Sequence, residues 1–320
     1  MKINKENLNK GLQSYYSTGH FIAGLMSKVW TVRLMNFFSK ALKSRKIKGL
    51  NSDQRYIRSQ NGGPDIRVRI FRPINSSKDL PAMLYIHGGG YMLGNPETAL
   101  ESITDFVKTR DCVVVAPDYR KSIANPYPAG FNDSYDTLLW MKENAAELSI
   151  CKDKFMIAGH SAGGGMTAAL CLKARDTKEV EIAFQLPIYP MIDDCQQSES
   201  AQFIKTPVWD AKSNAFAWRR YLKDLKASNE LIPPYAAPAR ADNYANLPPT
   251  ITFVGDMEPF RDETIAYVEA LKRANVPVQF QLYQGCFHAF EQLLPKSEIA
   301  QEARQFLLKA FGEYYDLYFE

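Results

Sequence analysis

Apolar residues follow two alternating patterns along most of the chain. Six short runs are apolar almost throughout: AMLYI, CVVVA, KFMIA, EIAFQL, TITFV and VQFQLY. Unbroken apolar strands are expected in a sheet that helices cover on both faces. Between these runs, apolar residues recur at helical spacing, at about 96–109, 132–147, 163–174, 261–274 and 296–311. Alternating strands and helices predict a mostly parallel, doubly wound α/β sheet.

A hairpin is predicted ahead of this alternation. The segments QRYIRSQ and IRVRIFR flank NGGPD, a turn with glycines at positions that favour a positive φ. Ile66, Val68 and Ile70 alternate with arginines, which indicates a half-exposed antiparallel pair. The sheet is therefore predicted to have eight strands, the first two forming an antiparallel edge.

Two regions interrupt the alternation, residues 1–50 and residues 189–247. The second contains the helical run DAKSNAFAWRRYL, and a structureless loop of its length is improbable in a compact domain. We expect an α/β core built from residues 51–188 and 248–320. The two interrupting segments are expected to form a helical cap over the carboxyl ends of the strands, where open α/β sheets bind ligands.

The N-terminal segment is also basic and amphipathic. Apolar residues recur at helical spacing, with lysines and arginines between them, in FIAGLMSKVWTVRLMNFFSKAL. Such a helix can lie on a membrane surface. Packing of the apolar stripe against the rest of the protein is the commoner role, so we expect packing, and contact with a membrane surface through this helix stays an alternative.

Composition narrows the class of protein. A formal charge of +4, with 46% hydrophobic and 23% charged residues, is typical of an ordinary globular protein and argues against a dedicated nucleic-acid binder. The five cysteines form no CxxC pair, and the N-terminus has no apolar signal sequence, so we expect reduced thiols in the cytoplasm. No apolar run approaches the roughly 18 residues of a membrane span.

A nucleophile is indicated by the motif GHSAG, Gly159 to Gly163, between a predicted strand and a predicted helix. A serine hydroxyl is a weak nucleophile, and a sharp strand-to-helix turn presents it to a base without crowding. Ser161 is therefore the candidate nucleophile, and the alternative is a glycine-rich structural turn.

A second glycine-rich stretch, HGGGYMLG, follows an upstream strand. Backbone N–H groups without a neighbouring Cβ can approach the oxyanion of an acyl-transfer intermediate. Gly88, Gly89 and Ala162 are the candidate donors. A phosphate loop is disfavoured, since Asn95 stands where that motif requires lysine.

The general base is found largely by elimination, because the chain has four histidines. His20 lies in the N-terminal segment, His87 in the glycine loop, and His160 beside the nucleophile with its side chain expected to point away. His288 follows the last strand, and the chain order serine, acid, histidine is that of hydrolases whose serine lies on such a strand-to-helix turn.

The chain resembles the hormone-sensitive-lipase-like carboxylesterases of the α/β-hydrolase fold, over residues 80–290. The resemblance lies in HGGGY, PDYRKSIANPYPAGFND, GHSAGGG, YAAPARA and EPFRDET…YQGCFHAF, which occur in order. It implies an esterase with a Ser–acid–His triad, a helical cap and no metal or organic cofactor.

The resemblance also selects among the four carboxylates of VGDMEPFRDET. The acid of that family opens a pattern such as D-P-[LF]-R-D-E, and Glu258 occupies that place here, with glutamate replacing the usual aspartate. Asp256 is the alternative, and Asp262 and Glu263 are expected in the first turn of a helix, which favours acids. In the same family the segment around Asp118, Tyr119 and Arg120 supports the glycine loop.

The resulting hypothesis is a serine carboxylesterase acting on small to medium acyl esters through Ser161, His288 and Glu258. Four aromatic residues are candidates for contact with the substrate: Tyr91, Trp209, Phe216 and Trp218. An amide or peptide hydrolase with the same triad, lipolysis at a membrane surface through the basic N-terminal helix, or a non-catalytic ligand-binding relative stays possible at this point, as does a homodimer.

Overall fold

One mixed sheet forms the centre of the molecule, whose computed structural model describes residues 3–74, 76, 79–202 and 205–319. The ends of the predicted segments 1–50 and 248–320 lie outside these ranges. The strands are β1 (Leu50–Ile57), β2 (Ile66–Pro73), β3 (Leu80–Ile86), β4 (Val113–Pro117), β5 (Ile150–His160), β6 (Phe184–Ile188), β7 (Thr250–Gly255) and β8 (Val278–Tyr283). The α-helices are α1 (Tyr16–Met26), α2 (Val29–Ser39), α3 (Leu100–Thr109), α4 (Ala129–Glu143), α5 (Ala145–Leu148), α6 (Ala162–Thr177), α7 (Ala211–Tyr221), α8 (Lys223–Ala227), α9 (Arg261–Arg273), α10 (Phe290–Leu293) and α11 (Glu298–Phe319).

The strand order is β1-β2-β4-β3-β5-β6-β7-β8. Strands β1 and β2 pair antiparallel, β2 pairs antiparallel with β4, and the remaining neighbours pair parallel. The prediction of eight strands with an antiparallel hairpin at one edge is confirmed.

The apolar runs serve two cores, one on each face of the sheet. In β4, Val113 and Val115 pack into one core and Val114 and Ala116 into the other. Successive side chains of a strand point to opposite faces. A strand between two cores therefore favours apolar residues at every position, which explains the nearly unbroken runs.

The hairpin is less exposed than its alternating pattern predicts. Arg67 and Arg69 are 6% and 2% exposed, because α3 and α4 pack against β2. Both guanidinium groups bind the buried carboxylate of Glu97, at 2.7 and 2.6 Å. The expectation of a half-exposed pair is wrong for β2, since a carboxylate from another segment compensates the buried charges.

The two interrupting segments are helical and pack on each other. The N–H of Val208 donates to the carbonyl of Gly19 at 2.8 Å, and the hydroxyl of Ser213 donates to the carbonyl of Ala23 at 3.0 Å. A Cβ on Gly19 would lie 2.5 Å from Cβ of Pro207, so α1 approaches the second segment closely. We call these two segments together the cap.

Helix α2 packs with one face only. Thr31 and Val32 are buried, and the Asn36 amide donates to the carbonyl of Met92 at 2.9 Å. Its opposite face carries exposed aromatic residues. The predicted packing of this segment against the rest of the protein therefore holds for the inner face of α2 only. No helix in the described part of the chain is long and apolar enough to cross a bilayer.

Candidate active site

The candidate residues all follow carboxyl ends of parallel strands. The glycine loop follows β3, Ser161 follows β5, Glu258 follows β7, and His288 follows β8. These ends meet at one edge of the sheet, and the cap covers it. The fold therefore brings together segments that lie far apart in the sequence.

Ser161 occupies a strained turn between β5 and α6. Its φ is 59° and its ψ is −121°, a conformation that few residues other than glycine adopt. Hydrogen bonds hold it there: its N–H donates to Ile188 and its carbonyl accepts from Gly165, both at 2.9 Å. A Cβ on Gly163 would lie 2.0 Å from the carbonyl oxygen of Ile86, so the motif needs glycine at that position.

Ser161, His288 and Glu258 lie in contact in series. Nε2 of His288 lies 2.9 Å from Oγ of Ser161, and Nδ1 lies 2.5 Å from Oε2 of Glu258. The second oxygen, Oε1 of Glu258, accepts from the N–H of Gly255 at 3.2 Å. The arrangement allows an imidazole to take the hydroxyl proton while a fully buried carboxylate compensates the resulting charge.

Asp256, the alternative acid, binds backbone groups instead of the imidazole. Its Oδ1 accepts from the N–H groups of Gly285 and Cys286, at 2.6 and 3.3 Å. These residues precede His288 in the loop after β8. Asp256 therefore anchors the loop that carries the histidine.

The candidate oxyanion donors Gly88 and Gly89 line the same cavity as Ser161, and Ala162 follows Ser161 in the chain. A Cβ on Gly88 would lie 3.4 Å from Cβ of Ser161. Gly89 has a φ of +118°, and a Cβ there would lie 2.2 Å from the carbonyl oxygen of Leu93. Ala162 opens α6, where the first N–H groups have no partner within the helix. Their catalytic role stays a prediction.

The glycine loop rests on Tyr119, as the resemblance implies. The Tyr119 hydroxyl donates to the carbonyl of His87 at 3.0 Å, and the two rings stack at 4.3 Å. Burial lowers the pKa of His87 to about 3, so the neutral ring donates from Nδ1 to the carbonyl of Gly88 at 2.7 Å. Ion pairs hold the charged neighbours of Tyr119: Asp118 with Arg67 and Arg120 with Asp133.

A cavity of about 200 Å³ opens onto Ser161 and His288. The glycine loop forms one wall, while Met26 and Trp209 contribute from the two segments of the cap. Of the four aromatic residues proposed to contact the substrate, Trp209 lines this cavity, and its contact with the substrate stays a prediction.

The other three aromatic residues do not line this cavity. Tyr91 is buried, donates from its hydroxyl to the carbonyl of Met191 at 2.7 Å, and stacks on Tyr221 at 4.0 Å. Trp218 is fully buried beside Tyr91, and Phe216 packs under the guanidinium of Arg220. Phe216 and Trp218 lie on α7, whose aromatic face packs within the cap, so this cavity gives no support to the substrate contact predicted for the three residues, which stays a prediction.

Two carboxylates of the opening turn of α9 have roles that the sequence did not indicate. Oε1 of Glu263 accepts from the N–H of Ile192 at 2.7 Å, and Oδ2 of Asp262 accepts from the N–H of Ser200 at 2.8 Å. Burial raises the pKa of Glu263 well above its usual value. Both residues lie in the first helical turn, as expected, and they also anchor the inserted cap segment.

Sequence reasoning missed Glu291, a buried acid behind the histidine. Oε1 of Glu291 accepts from the Tyr189 hydroxyl at 2.5 Å, and the Tyr189 ring meets the His288 ring edge to face at 5.0 Å. Glu291 lines a second cavity, of about 110 Å³, which shares His160 and other residues with the first. The only signal in the sequence is an acid three residues after His288.

Burial raises the pKa of Glu291 from 4.5 to about 7. Below pH 4.5 the carboxyl is protonated in both folded and unfolded chains, and at higher pH the folded chain must bury a charge that the unfolded chain exposes. Stability that the protonated form provides is therefore lost as the pH rises through 7. Glutamine does not ionise, so Glu291→Gln should not show this loss. We expect the unfolding free energy of the variant minus that of wild type to rise by about 3 kcal/mol from pH 5 to pH 8.

Urea unfolding of both proteins at several pH values measures this difference. Tyr189 can donate to the glutamine oxygen as well as to the carboxylate. If the substitution did weaken this contact, the unfolding free energies of the two proteins would differ by the same amount at every pH. A difference between the two proteins that does not vary with pH would contradict the assignment.

Among the described residues, three side chains of the inserted segment have the spacing to hold a metal ion: Asp193, Asp194 and Cys195. The Arg240 guanidinium binds Asp194 at 2.5 Å and compensates its charge. In the structure, Asp194 therefore forms an ion pair within the cap.

The mostly parallel sheet, the serine turn after β5 and the histidine after β8 define the class of α/β hydrolases. A family model described as the α/β hydrolase fold matches residues 83–292. The chain belongs to this family, within its hormone-sensitive-lipase-like branch.

Relatives and solved structures agree with this placement. Esterase LipI of Mycobacterium tuberculosis is 33% identical over 71% of each chain, and carboxylesterase NlhH of the same species is 34% identical over 72% of each chain. A solved structure described as a bacterial heroin esterase has a TM-score of 0.85 and 28% identity, over 97% of this chain and 98% of its own. The protein is a carboxylic ester hydrolase.

Proposed function

We propose that the enzyme is a serine esterase that uses a Ser161–His288–Glu258 triad and acts on esters of small to medium acyl groups. The observation that carries the proposal is the series of contacts from hydroxyl to imidazole to carboxylate, with Ser161 and His288 in the wall of one cavity and Glu258 buried behind them. A nucleophile, its base and an orienting acid in series are the requirement for activating a serine.

In the first half of the reaction, His288 Nε2 takes the proton of Ser161 as Oγ attacks the ester carbonyl. The carbonyl oxygen becomes an oxyanion, which the N–H groups of Gly88, Gly89 and Ala162 stabilise. The tetrahedral intermediate then breaks its bond to the alcohol oxygen. His288 returns the proton to that oxygen, the alcohol leaves, and the acyl group stays on Ser161.

In the second half, water takes the place of the alcohol. His288 removes one water proton as the oxygen attacks the acyl carbonyl, and the same amides stabilise the second oxyanion. The Ser161–acyl bond breaks, and the proton on His288 returns to Oγ. Glu258 holds the imidazole orientation and compensates its charge in both halves, so each step uses residues of the chain and water.

The size of the cavity supports a limited acyl group. At about 200 Å³ it lies between the glycine loop and the cap, and Met26 and Trp209 close part of its wall. The names of two relatives, a carboxylesterase and an arylesterase from Saccharolobus solfataricus, point to esters of the same broad class. We therefore infer that small to medium acyl esters are the substrates.

We also propose a reducing compartment, the cytoplasm, as the working environment. The five cysteines are free thiols in the structure. Unpaired cysteines are typical of a reducing environment.

A series of p-nitrophenyl esters tests the proposed acyl preference. We expect kcat/KM to be high from acetate to octanoate and to fall by at least about tenfold at palmitate, because a walled cavity limits the acyl length. An equal rate for every ester would contradict a small acyl site. The corresponding p-nitroanilide tests the alternative of an amidase. An amidase would hydrolyse the anilide at a rate that matches that of the ester.

Partition of the acyl group tests the covalent intermediate. With methanol present, phenyl acetate and p-nitrophenyl acetate should form methyl acetate and acetate in the same ratio, since both pass through one acyl-enzyme. Ratios that depend on the leaving group would show that water or methanol attacks the substrate directly.

A further inference from the structure

The outward side of α2 is an exposed apolar stripe. Trp30, Leu34, Phe37 and Phe38 are 63%, 46%, 66% and 62% exposed. Their spacing places them on one face of the helix. We call these four residues the outer face of α2.

The outer face belongs to a concentration of exposed apolar groups. Eleven large apolar side chains of the described residues are exposed, and six lie within 21–42: Phe21, Trp30, Leu34, Phe37, Phe38 and Leu42. Single exposed apolar residues are normal, but a cluster of them indicates a surface for interaction.

The same segment is strongly basic. No acidic residue lies between Glu6 and Asp53, and eight basic residues do: Lys10, Lys28, Arg33, Lys40, Lys43, Arg45, Lys46 and Lys48. Arg33 and Lys40 are exposed and lie beside the aromatic stripe on α2. Lys43 pairs with Asp118, but the segment as a whole keeps a large excess of positive charge.

We propose that the outer face of α2 docks on a lipid bilayer that contains anionic lipid. Exposed aromatic and leucine side chains on one face, with lysines and arginines around them, are the pattern of a helix that lies in the membrane interface. Negative headgroups attract the basic segment, and the interface accepts tryptophan and phenylalanine rings.

The charge argues against a second copy of the chain as the partner. A two-fold interface presents the same surface on both subunits. Two copies joined through α2 would bring two segments without acids, each rich in lysine and arginine, next to one another. An anionic surface complements this charge, and a second copy repels it.

The inner face of α2 connects the docking surface to the candidate active site. The Asn36 side chain binds the carbonyl of Met92 and the N–H of Gly94, at 2.9 and 3.2 Å, at the end of the glycine loop. Met26, which ends α1 just before α2, lines the cavity. A docked α2 would hold the cavity close to the bilayer, although the binding itself does not depend on hydrolysis.

Vesicle flotation of the full-length protein tests the proposal. We expect the protein to float with phosphatidylcholine vesicles containing about 30% phosphatidylglycerol and to bind pure phosphatidylcholine far less. Raising the salt from roughly 0.1 M to 1 M should weaken the binding, since the screening length shortens from about 10 to 3 Å. Trp30 fluorescence should shift to the blue on binding, and Trp30→Phe should remove the shift.

Two variants separate the apolar and the electrostatic contributions. Phe37→Ser combined with Phe38→Ser, and Arg33→Glu combined with Lys40→Glu, should each lower vesicle partition by at least about tenfold. Hydrolysis of soluble p-nitrophenyl acetate should not change, because none of these side chains lines the cavity. Leu317→Ser is the matched control: Leu317 is 68% exposed on α11, which packs on the opposite face of the sheet from α2, and its loss should leave partition unchanged.

Three results would overturn the proposal. The first is no binding to anionic vesicles at low salt. The second is binding that the α2 variants do not weaken. The third is a dimer in solution that becomes monomeric with the Phe37 and Phe38 substitutions and does not bind vesicles, which would assign the outer face to a second copy.

Discussion

Replacement of Ser161 by alanine is expected to lower kcat for p-nitrophenyl acetate by at least about 10⁴-fold, with the protein still folded. The substitution removes one oxygen, the atom that lies 2.9 Å from Nε2 of His288 and that would form the bond to the acyl group. The backbone bonds of the turn, to Ile188, Gly165 and Met191, do not involve the side chain. Stopped-flow release of p-nitrophenol measures the rate, and circular dichroism shows whether the fold is kept.

A second serine provides the matched control. Ser134 on α4 is fully buried, and its hydroxyl donates to the carbonyl of Gly130 at 3.0 Å, away from the residues that line the cavity. Ser134→Ala also removes one buried hydroxyl, so its kcat should stay within about twofold of wild type. Comparable hydrolysis by wild type and Ser161→Ala would remove the proposed nucleophile.

Glu258→Gln is expected to lower kcat by about 10³- to 10⁴-fold, although it changes a single atom. The Gly255 N–H donates to one oxygen of Glu258 and His288 faces the other. In the variant, the amide oxygen stays with the Gly255 N–H, which turns the amide NH₂ toward Nδ1 of His288. The imidazole must then accept at Nδ1 and carry its proton on Nε2, where it can no longer take the proton of Ser161.

Asp256→Asn provides the contrast within the same loop. The asparagine oxygen can still accept from the N–H groups of Gly285 and Cys286, so the loop that carries His288 keeps its anchor. We expect a loss in kcat of less than about tenfold. If Asp256→Asn lost as much activity as Glu258→Gln, or more, Asp256 would become the acid of the triad.

Local patterns were sufficient for the parts of the protein that depend on chain neighbours. Period and run length located all eight strands, and β8 matched at both ends. The GHSAG motif located the turn at Ser161, because its glycines are needed by contacts within a few residues and with the adjacent strand. The scarcity of histidines then made His288 a strong candidate.

Patterns were insufficient where a neighbour from a distant segment sets the environment of a side chain. The arginines of β2 alternate as exposed residues would, yet Glu97 pairs with both of them in the interior. Tyr91 and Trp218 are aromatic residues of the kind that line binding pockets, but they are buried against each other. Glu291 looks like a surface acid of a short helix, and burial raises its pKa to about 7.

The four acids between β7 and the first turn of α9 show what the sequence determined and what the tertiary structure determined. The resemblance to the esterase family pointed to Glu258, with Asp256 as the alternative, and residue type placed Asp262 and Glu263 in a first helical turn. Which carboxylate meets the imidazole was decided by the packing of β7 against β8, since that pairing brings the loop after β8 over the loop after β7. Hydrogen bonds within a few residues depend on local order, but burial and side-chain contacts between distant segments depend on how the whole chain packs.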